Sequence, residues 1–158
     1  MFIFEILIIV VVFAFVANGY RVGSIETLGR LLGSVFGFLA AKNFSYWLIG
    51  LMGIFMPVNW AYLTSFVLIF LAVDSAIGFL FKIGEKIFKI ITKLPILKQI
   101  DGLLGGVFGF FEAVIVIGGV SWLLRQGAFA ESGISFFTNL KSAALINTIF
   151  ESLLQFLL

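Results

Sequence analysis

The stretch that decides the fold class reads IDGLLGGVFGFFEAVIVIGG and covers residues 100–119. Nearly all of it is apolar residues or glycine, and the apolar run continues to Leu124. A helix of about 20 apolar residues spans the hydrocarbon core of a bilayer, so this stretch predicts a transmembrane helix. Two acids interrupt it, Asp101 near its start and Glu112 near its centre. A charge at that depth is costly, so Glu112 needs a charged partner, a proton or contact with water.

The whole chain has the composition of an integral membrane protein. Of its 158 residues, 62% are hydrophobic, 11% are charged and 21 are Phe. A soluble domain carries about 25% charged residues, so this chain lacks the polar surface that would cover a water-soluble globule. Its length predicts a single membrane domain, residues 1–158.

Several classes of function are excluded by the residue types. The chain has neither cysteine nor histidine. Disulfides, thiol nucleophiles, Cys/His zinc sites and imidazole catalysis are therefore ruled out. The remaining residues form no nucleophile–base pair or ligand cluster, so we expect no enzyme, no metal and no cofactor. A net charge of +2 is too small to indicate binding of nucleic acid.

We predict an all-α protein with four transmembrane helices, at about residues 2–17, 21–42, 61–81 and 102–124. The first lacks a basic region before its apolar run, so we expect a retained span rather than a cleaved secretory signal. Residues 44–60 are apolar but contain Gly50, Gly53 and Pro57, and are a re-entrant segment, an interfacial segment or an extension of the second span. Aromatic residues suit the headgroup level and favour the interfacial alternative: Tyr46, Trp47, Trp60 and Tyr62.

A basic amphipathic helix is predicted at residues 82–94, between the third and fourth spans, with Pro95 ending or kinking it. Such a helix lies in the membrane interface, where each lysine near anionic headgroups contributes about 1 kcal/mol. The alternative is a solvated connecting helix whose apolar face needs a protein partner. The lysines expected to contact anionic lipid are Lys82, Lys86, Lys89, Lys93 and Lys98.

The tail, residues 131–158, has a broad apolar face and a weakly polar one. It predicts one or two amphipathic helices that lie on the membrane or pack against the bundle.

Topology follows from the distribution of basic residues, which are enriched in cytoplasmic loops. Seven fall on one side of the predicted membrane and three on the other. We therefore expect the connections after the first and third spans in the cytoplasm and both termini outside. The first group is Arg21, Arg30, Lys82, Lys86, Lys89, Lys93 and Lys98, and the second is Lys42, Arg125 and Lys141.

Glycines recur at the spacing of helix-packing faces, where small residues let two backbones approach closely. Gly29, Gly33 and Gly37 follow one another at four-residue intervals. Whether this face meets another helix of the chain or a second copy stays open. The full predicted set is Gly19, Gly23, Gly29, Gly33, Gly37, Gly105 and Gly109.

Glu112 falls on a face of the fourth span that carries small residues. Positions 101, 105, 109, 112, 116 and 119 are three or four residues apart and therefore share one side of a helix. Glu112 is thus expected to face protein rather than lipid.

Other charged residues also fall within or near the spans, and Glu26 and Arg30 have the spacing of partners on one helix. Two hypotheses compete for the predicted polar network: an interhelical network that fixes the packing of the bundle, or a pathway for protons, ions or a small solute. Its members are Glu5, Arg21, Glu26, Arg30, Asp74, Glu112 and Arg125.

Most of residues 1–124 resemble the colicin V production protein family, CvpA-like proteins of the bacterial inner membrane. Residues 18–41, NGYRVGSIETLGRLLGSVFGFLAA, are similar to the family's glycine–basic–glycine segment followed by an acid and a small-residue helix. The stretch from Phe66 to Trp122 resembles its third span, basic connecting helix and Asp-x-x-Leu-Gly-x-x-x-Gly motif. Here that motif is Asp101, Leu104, Gly105 and Gly109. The chain departs from the family in having Gly102 and Glu112–Ala113 where Arg and Arg-Gly are frequent.

The resemblance implies an inner-membrane protein linked to production or export of the toxin colicin V and to envelope function, with no active site to carry over. We expect a non-enzymatic accessory factor that acts by helix-mediated assembly, as a homo-oligomer and with secretion or envelope proteins as partners. The alternative is an oligomeric channel or transporter whose polar pathway contains Glu26, Arg30, Asp74 and Glu112.

Overall fold

The computed structural model describes residues 2–91, 95–124 and 141–157, and side chains within 3–84, 99–124 and 144–155. Every element in these ranges is an α-helix, which confirms the predicted all-α class. Four of the helices are long and apolar enough to cross a membrane, as predicted. The helices are α1 (Phe2–Val22), α2 (Ser24–Met52), α3 (Val58–Ile91), α4 (Pro95–Leu124) and α5 (Lys141–Leu157).

A single residue, Gly23, joins α1 to α2. Its φ of 106° lies in the region that glycine adopts without steric cost. The Gly23 amide donates to the Gly19 carbonyl at 3.0 Å, and the Gly23 carbonyl accepts from the Thr27 amide at 3.2 Å and the Thr27 hydroxyl at 2.7 Å. The backbone groups at this sharp reversal are therefore satisfied within the turn.

The four spanning helices alternate in direction. Gly19 of α1 meets Gly105 of α4, and Phe15 meets Gly109, so these two helices are antiparallel. Ser24 of α2 bonds to Asp101 while Phe38 of α2 lies against Gly119, so α2 is parallel to α4. Along α2, Gly29 meets Phe81 and Gly37 meets Phe70, so α3 is antiparallel to α2. One end of the bundle therefore contains the end of α1, the start of α2, the start of the spanning part of α4 and the C-terminal end of α3.

The helices are longer than the predicted spans, and the second does not begin at Arg21 as predicted, because α1 continues to Val22 and α2 begins at Ser24. Residues 44–52 belong to α2, so this part of the open segment 44–60 extends the second span. An isolated glycine such as Gly50 is tolerated inside a helix at a cost of about 1 kcal/mol. The helix ends at Gly53, whose amide donates to the Ile49 carbonyl at 2.7 Å. The chain then turns, and α3 begins after Pro57, whose carbonyl accepts from the Ala61 amide.

Helix α3 runs unbroken from Val58 to Ile91, so the predicted basic helix at 82–94 continues the helix of the third span rather than forming a separate element. Its placement in the membrane interface stays a prediction, and its last predicted residues, 92–94, lie outside the described ranges. Pro95, which we expected to end or kink the basic helix, is the first residue of α4. Proline is suited to this position because its fixed φ is helical and the first-turn amide needs no intrahelical partner.

Helix α4 is the centre of the bundle. Half of its spanning window is buried, against 6% for α3. It packs against α1, α2 and α5, whereas α3 packs chiefly on α2. The core combines side chains of all five helices: Ile8, Phe38, Ala41, Phe66, Val114, Leu123, Ile146 and Phe150.

The C-terminal helix α5 is part of this core. Phe150 lies over Gly118 of α4, where a Cβ would come within 2.6 Å of the Phe150 Cβ. Phe38 contacts Phe150 and Trp122 edge to face, with both pairs of ring centroids 5.3 Å apart. Of the two alternatives for the tail, the structure therefore has residues 141–157 packed against the bundle, and residues 131–140 lie outside the described ranges.

Candidate functional site

Three charged side chains from three helices lie together in the interior of the bundle: Arg30 of α2, Asp74 of α3 and Glu112 of α4. We call them the charge cluster. The Arg30 guanidinium donates to Oε1 of Glu112 from Nη2 at 2.8 Å and from Nε at 3.1 Å. This ion pair joins two helices at residues 82 positions apart in the sequence.

Glu112 is the most deeply placed member of the charge cluster. It is 5% exposed, and its Oε2 is buried without a hydrogen-bond partner. It lies about 16 Å along α4 from Asp101, near the middle of a hydrocarbon core about 30 Å thick. Arg30 is the counter-charge that makes ionised Glu112 tolerable there, because an isolated carboxylate would be far costlier than a paired one.

Asp74 of α3 bonds to α2 one helical turn beyond Arg30. Its Oδ1 accepts a hydrogen bond from the Ser34 hydroxyl at 3.2 Å. Gly33 makes room for it, since a Cβ on that residue would lie 2.8 Å from the same oxygen. The Arg30 charge attracts the Asp74 carboxylate at longer range, and the Asp74 carboxylate repels that of Glu112. Arg30 therefore pairs directly with Glu112 and interacts with Asp74 through space only.

Arg30 also reaches the first helix. Its guanidinium carbon lies 6.0 Å from the centroid of the Phe15 ring, within the range of a cation–π interaction. This single side chain therefore contacts α1 and α4 and interacts with Asp74 of α3.

The rest of the predicted polar network is spread along the bundle. Glu5 is in the first turn of α1 and Arg21 in its last, so these two residues lie at opposite ends of that helix. Glu26 is half-buried in the first turn of α2. Arg125 lies outside the described residues. The spacing of Glu26 and Arg30 did not reveal the hydrogen bonds of Arg30 to Glu112, since no pattern in one helix reports which residue of another helix lies at the same depth.

Six of the seven predicted packing glycines lie at two helix crossings, whereas Gly23 is the turn residue between α1 and α2, where an added Cβ would overlap the Asp101 carboxylate. Where α1 crosses α4, a Cβ on Gly19 would overlap the Gly105 carbonyl, and a Cβ on Gly109 would overlap that of Phe15. Where α2 crosses α3, a Cβ on Gly29 would overlap Phe81, and one on Gly37 would lie 3.0 Å from the Phe70 carbonyl. The glycine run of α2 thus faces a helix of the same chain.

Asp101, the first residue of the resembled motif, lies against the start of α2. Its Oδ1 accepts hydrogen bonds from the Ser24 amide, at 2.9 Å, and from the Ser24 hydroxyl. The first amides of a helix have no intrahelical partner, and a carboxylate there also interacts favourably with the helix dipole. Asp101 is therefore an N-terminal cap for α2 that is supplied by α4. The sequence analysis placed Asp101 on the small-residue face of α4 and did not predict its contact with Ser24. The only local signal of a helix start there is the pair Gly23–Ser24 before an apolar segment.

The other motif residues divide between two faces of α4. Gly105 and Gly109 point towards α1, whereas Leu104 is exposed on the surface of the bundle, where lipid is expected.

Of the predicted lipid-contacting lysines, Lys82 is exposed on α3. The side chains of Lys86, Lys89, Lys93 and Lys98 lie outside the described residues. Lys82 and Arg21 both lie towards the end of the bundle that contains Gly23. The topology prediction places both residues on the same side of the membrane, the cytoplasmic side.

Two cavities in the described part of the protein have apolar linings. One, of about 80 Å³, lies between α2, α3 and α4 and is bordered by Phe66, Phe70, Val116 and Leu123 among others. The second lies between α2, α4 and α5, beside Val35, Ile115 and Leu154. Within the same described residues, no group of three or more acids forms a candidate metal site.

Comparison with known protein families gives a match over nearly the whole chain. The model of a family described as Colicin V production protein matches residues 4–154, nearly the whole chain. Searches of curated proteins and of solved structures found no match.

Proposed function

The chain belongs to the Colicin V production protein family, and we propose that it is a non-enzymatic accessory factor in the production or secretion of a colicin V-type toxin and in envelope homeostasis. It acts in the bacterial inner membrane, with both termini outside the cytoplasm. The family match carries this proposal. The chemistry of the bundle supports it, because the charge cluster and the interhelical cap use polar side chains to hold helices together.

The proposed mode of action is helix-mediated assembly, with a second copy of the chain or with secretion or envelope proteins. The position of α3 supports this. It packs chiefly on α2 and presents a long apolar surface that includes Leu68, Leu71, Phe79 and Leu80. Association in lipid depends on van der Waals packing between helices rather than on burial of apolar area. A peripheral helix that packs chiefly on one neighbour is therefore a suitable contact surface.

The accessory role is tested in a toxin-secreting bacterium whose own copy of the gene has been deleted. Re-expression of this chain is expected to restore toxin in the culture medium, and a variant with Phe79→Trp and Leu68→Trp on α3 to restore less. Immunoblotting of membranes controls for equal amounts of the two proteins. Full toxin release from the deletion strain without the chain would contradict the proposal.

The proposed topology and lipid contact are tested with single cysteines, because the chain has none of its own. Gly53→Cys, in the turn between α2 and α3, is expected to react with a membrane-impermeant maleimide from outside the cell. Lys82→Cys is expected to react only after the membrane is opened. The reverse pattern would refute the topology. Binding of anionic headgroups by the lysines of 82–98 predicts slower labelling at Lys82→Cys in anionic than in neutral vesicles.

A second candidate function, an oligomeric channel or transporter, is favoured by one observation: charged residues from three helices meet near the membrane centre, and Glu112 Oε2 has no hydrogen-bond partner. Flux from liposomes containing the wild-type protein or Glu112→Gln tests it. Specific release that the substitution abolishes would support transport. The apolar cavities favour the accessory role, and a strictly monomeric protein in lipid would argue further against a channel.

A further inference from the structure

We propose that the charge cluster binds one exchangeable proton, shared between the carboxylates of Glu112 and Asp74. The proposal stands apart from the accessory role and from solute flux, since a proton can be bound without either. It rests on the positions of three side chains, on the burial of one carboxylate oxygen and on the balance of their charges.

The charges of the cluster do not cancel. It contains one guanidinium and two carboxylates, which leaves a net charge of −1 when both acids are ionised. Arg30 bonds directly to Glu112 and acts at longer range on Asp74. A surplus charge near the membrane centre carries a large desolvation cost, which one bound cation or proton removes.

The hydrogen bonds of the cluster leave an acceptor for that proton. Arg30 donates to Oε1 of Glu112 from Nε and from Nη2, and Oε2 is buried with no hydrogen-bond partner. A buried oxygen of an ionised carboxylate left in this state costs several kcal/mol. A proton taken from water converts one carboxylate to a carboxylic acid, and the net charge of the cluster becomes zero.

The neighbouring helices bring the groups that set the occupancy of this site. From α2 these are Arg30 and, one turn earlier, Glu26; from α3, Asp74. Helix α1 contributes the Phe15 ring against Arg30, with its acid Glu5 in the first turn towards the opposite end. Helix α5 contributes Glu151, which is exposed. Because Glu112 and Asp74 interact, the proton belongs to the pair rather than to one residue.

A proton is a better fit than a metal ion. Within the described residues no cluster of three acids is available, and Glu112 already accepts two hydrogen bonds from the Arg30 guanidinium. The ligands of Mg²⁺ or Ca²⁺ are six or more oxygens, which this apolar environment does not supply.

The test is infrared difference spectroscopy of the protein in lipid over a pH titration. Wild-type protein is expected to show the carbonyl band of a protonated carboxylic acid at neutral pH and to lose it reversibly at alkaline pH. Glu112→Gln and Asp74→Asn are each expected to lack the band at neutral pH, because one remaining carboxylate is balanced by Arg30. Glu151→Gln, on the exposed face of α5, is the matched control and is expected to retain it.

Two results would overturn the proposal: absence of the band from wild-type protein at neutral pH, or its persistence in both cluster variants. Loss of the band on adding Na⁺ at constant pH would also overturn it, in favour of a metal-cation site. If the variants do not fold, the thermal unfolding of wild-type protein still tests the proposal. Its thermal midpoint is expected to fall as pH rises from about 4, where a carboxyl of the unfolded chain loses its proton, to the pH at which the band disappears, and to level off above it. A midpoint that does not fall over that range would refute the site.

Discussion

Gly105 of α4 lies so close to Gly19 of α1 that a Cβ on either residue would overlap the carbonyl oxygen of the other. The contact is backbone against backbone, and neither helix can yield by rotating a side chain. It fixes the distance between the first and fourth spans one turn from the Asp101 cap, so two features of the resembled motif act at the same end of the bundle.

The first prediction compares adjacent glycines of α4. Gly105→Ala is expected to destabilise the protein by about 1–3 kcal/mol, as overpacking does in well-packed interiors. Gly106→Ala places its Cβ 3.7 Å from the nearest atom, an ordinary contact with Val16. It is therefore expected to be neutral or to stabilise by up to about 1 kcal/mol through helix propensity. Thermal unfolding in one detergent measures both, and equal effects of the two substitutions would contradict the close contact.

The second prediction concerns the ion pair. Arg30→Met leaves Glu112 without its hydrogen-bonded counter-charge and is expected to destabilise by about 3–5 kcal/mol. The double variant Arg30→Met with Glu112→Met removes both partners and is expected to recover a large part of that loss. Chemical unfolding of wild-type, single and double variants completes the thermodynamic cycle. A double variant no more stable than Arg30→Met would show that the pair is not the reason for the loss.

The third prediction concerns the cap. Asp101→Ala removes the acceptor for the Ser24 amide and is expected to cost about 1 kcal/mol. Asp101→Asn keeps a side-chain oxygen in the same position and is expected to lose less than half as much. Equal losses in the two variants, measured by thermal unfolding, would assign the effect to the charge of Asp101 rather than to the hydrogen bonds.

The fourth prediction concerns the docking of α5. Gly118→Val fills the space that the Phe150 ring occupies and is expected to displace α5 from α4. Ile146→Cys, buried in the docked helix, reports the displacement. Its labelling by a maleimide is expected to be at least about tenfold faster with Gly118→Val, which corresponds to about 1.4 kcal/mol of lost docking free energy. Gly78→Val, where nothing lies within 4 Å of an added Cβ, is the control and is expected to leave the rate unchanged.

The sequence was sufficient to predict the number of spanning helices, though not their bounds, and the side of α4 on which Glu112 lies. Both follow from apolar length and helical spacing, which depend on the chain near each residue. In the structure Glu112 is buried, and Gly105 and Gly109 of the same helix pack against α1.

The contacts between helices were not accessible in the same way. Arg30 has an acid one turn before it in the sequence, yet its guanidinium bonds to Glu112 on another helix. Ser24 is capped by a residue from α4 that no local pattern connects to it. These contacts depend on how far one helix is shifted along another, a quantity set by the packing of the whole bundle. The continuation of α3 through its lysine-rich part was also not predicted. A change from apolar to amphipathic composition marks a change of environment but does not break a helix.

The cap on α2 can form only late in the synthesis of the chain. Ser24 and Asp101 are 77 residues apart, so the amide is made long before its acceptor leaves the ribosome. Until then, water or lipid headgroups must satisfy the start of α2, which keeps that end of the helix near the membrane surface. Insertion of the fourth span supplies the carboxylate and releases those molecules. The start of α2 therefore acquires its carboxylate acceptor only after the fourth span has been made.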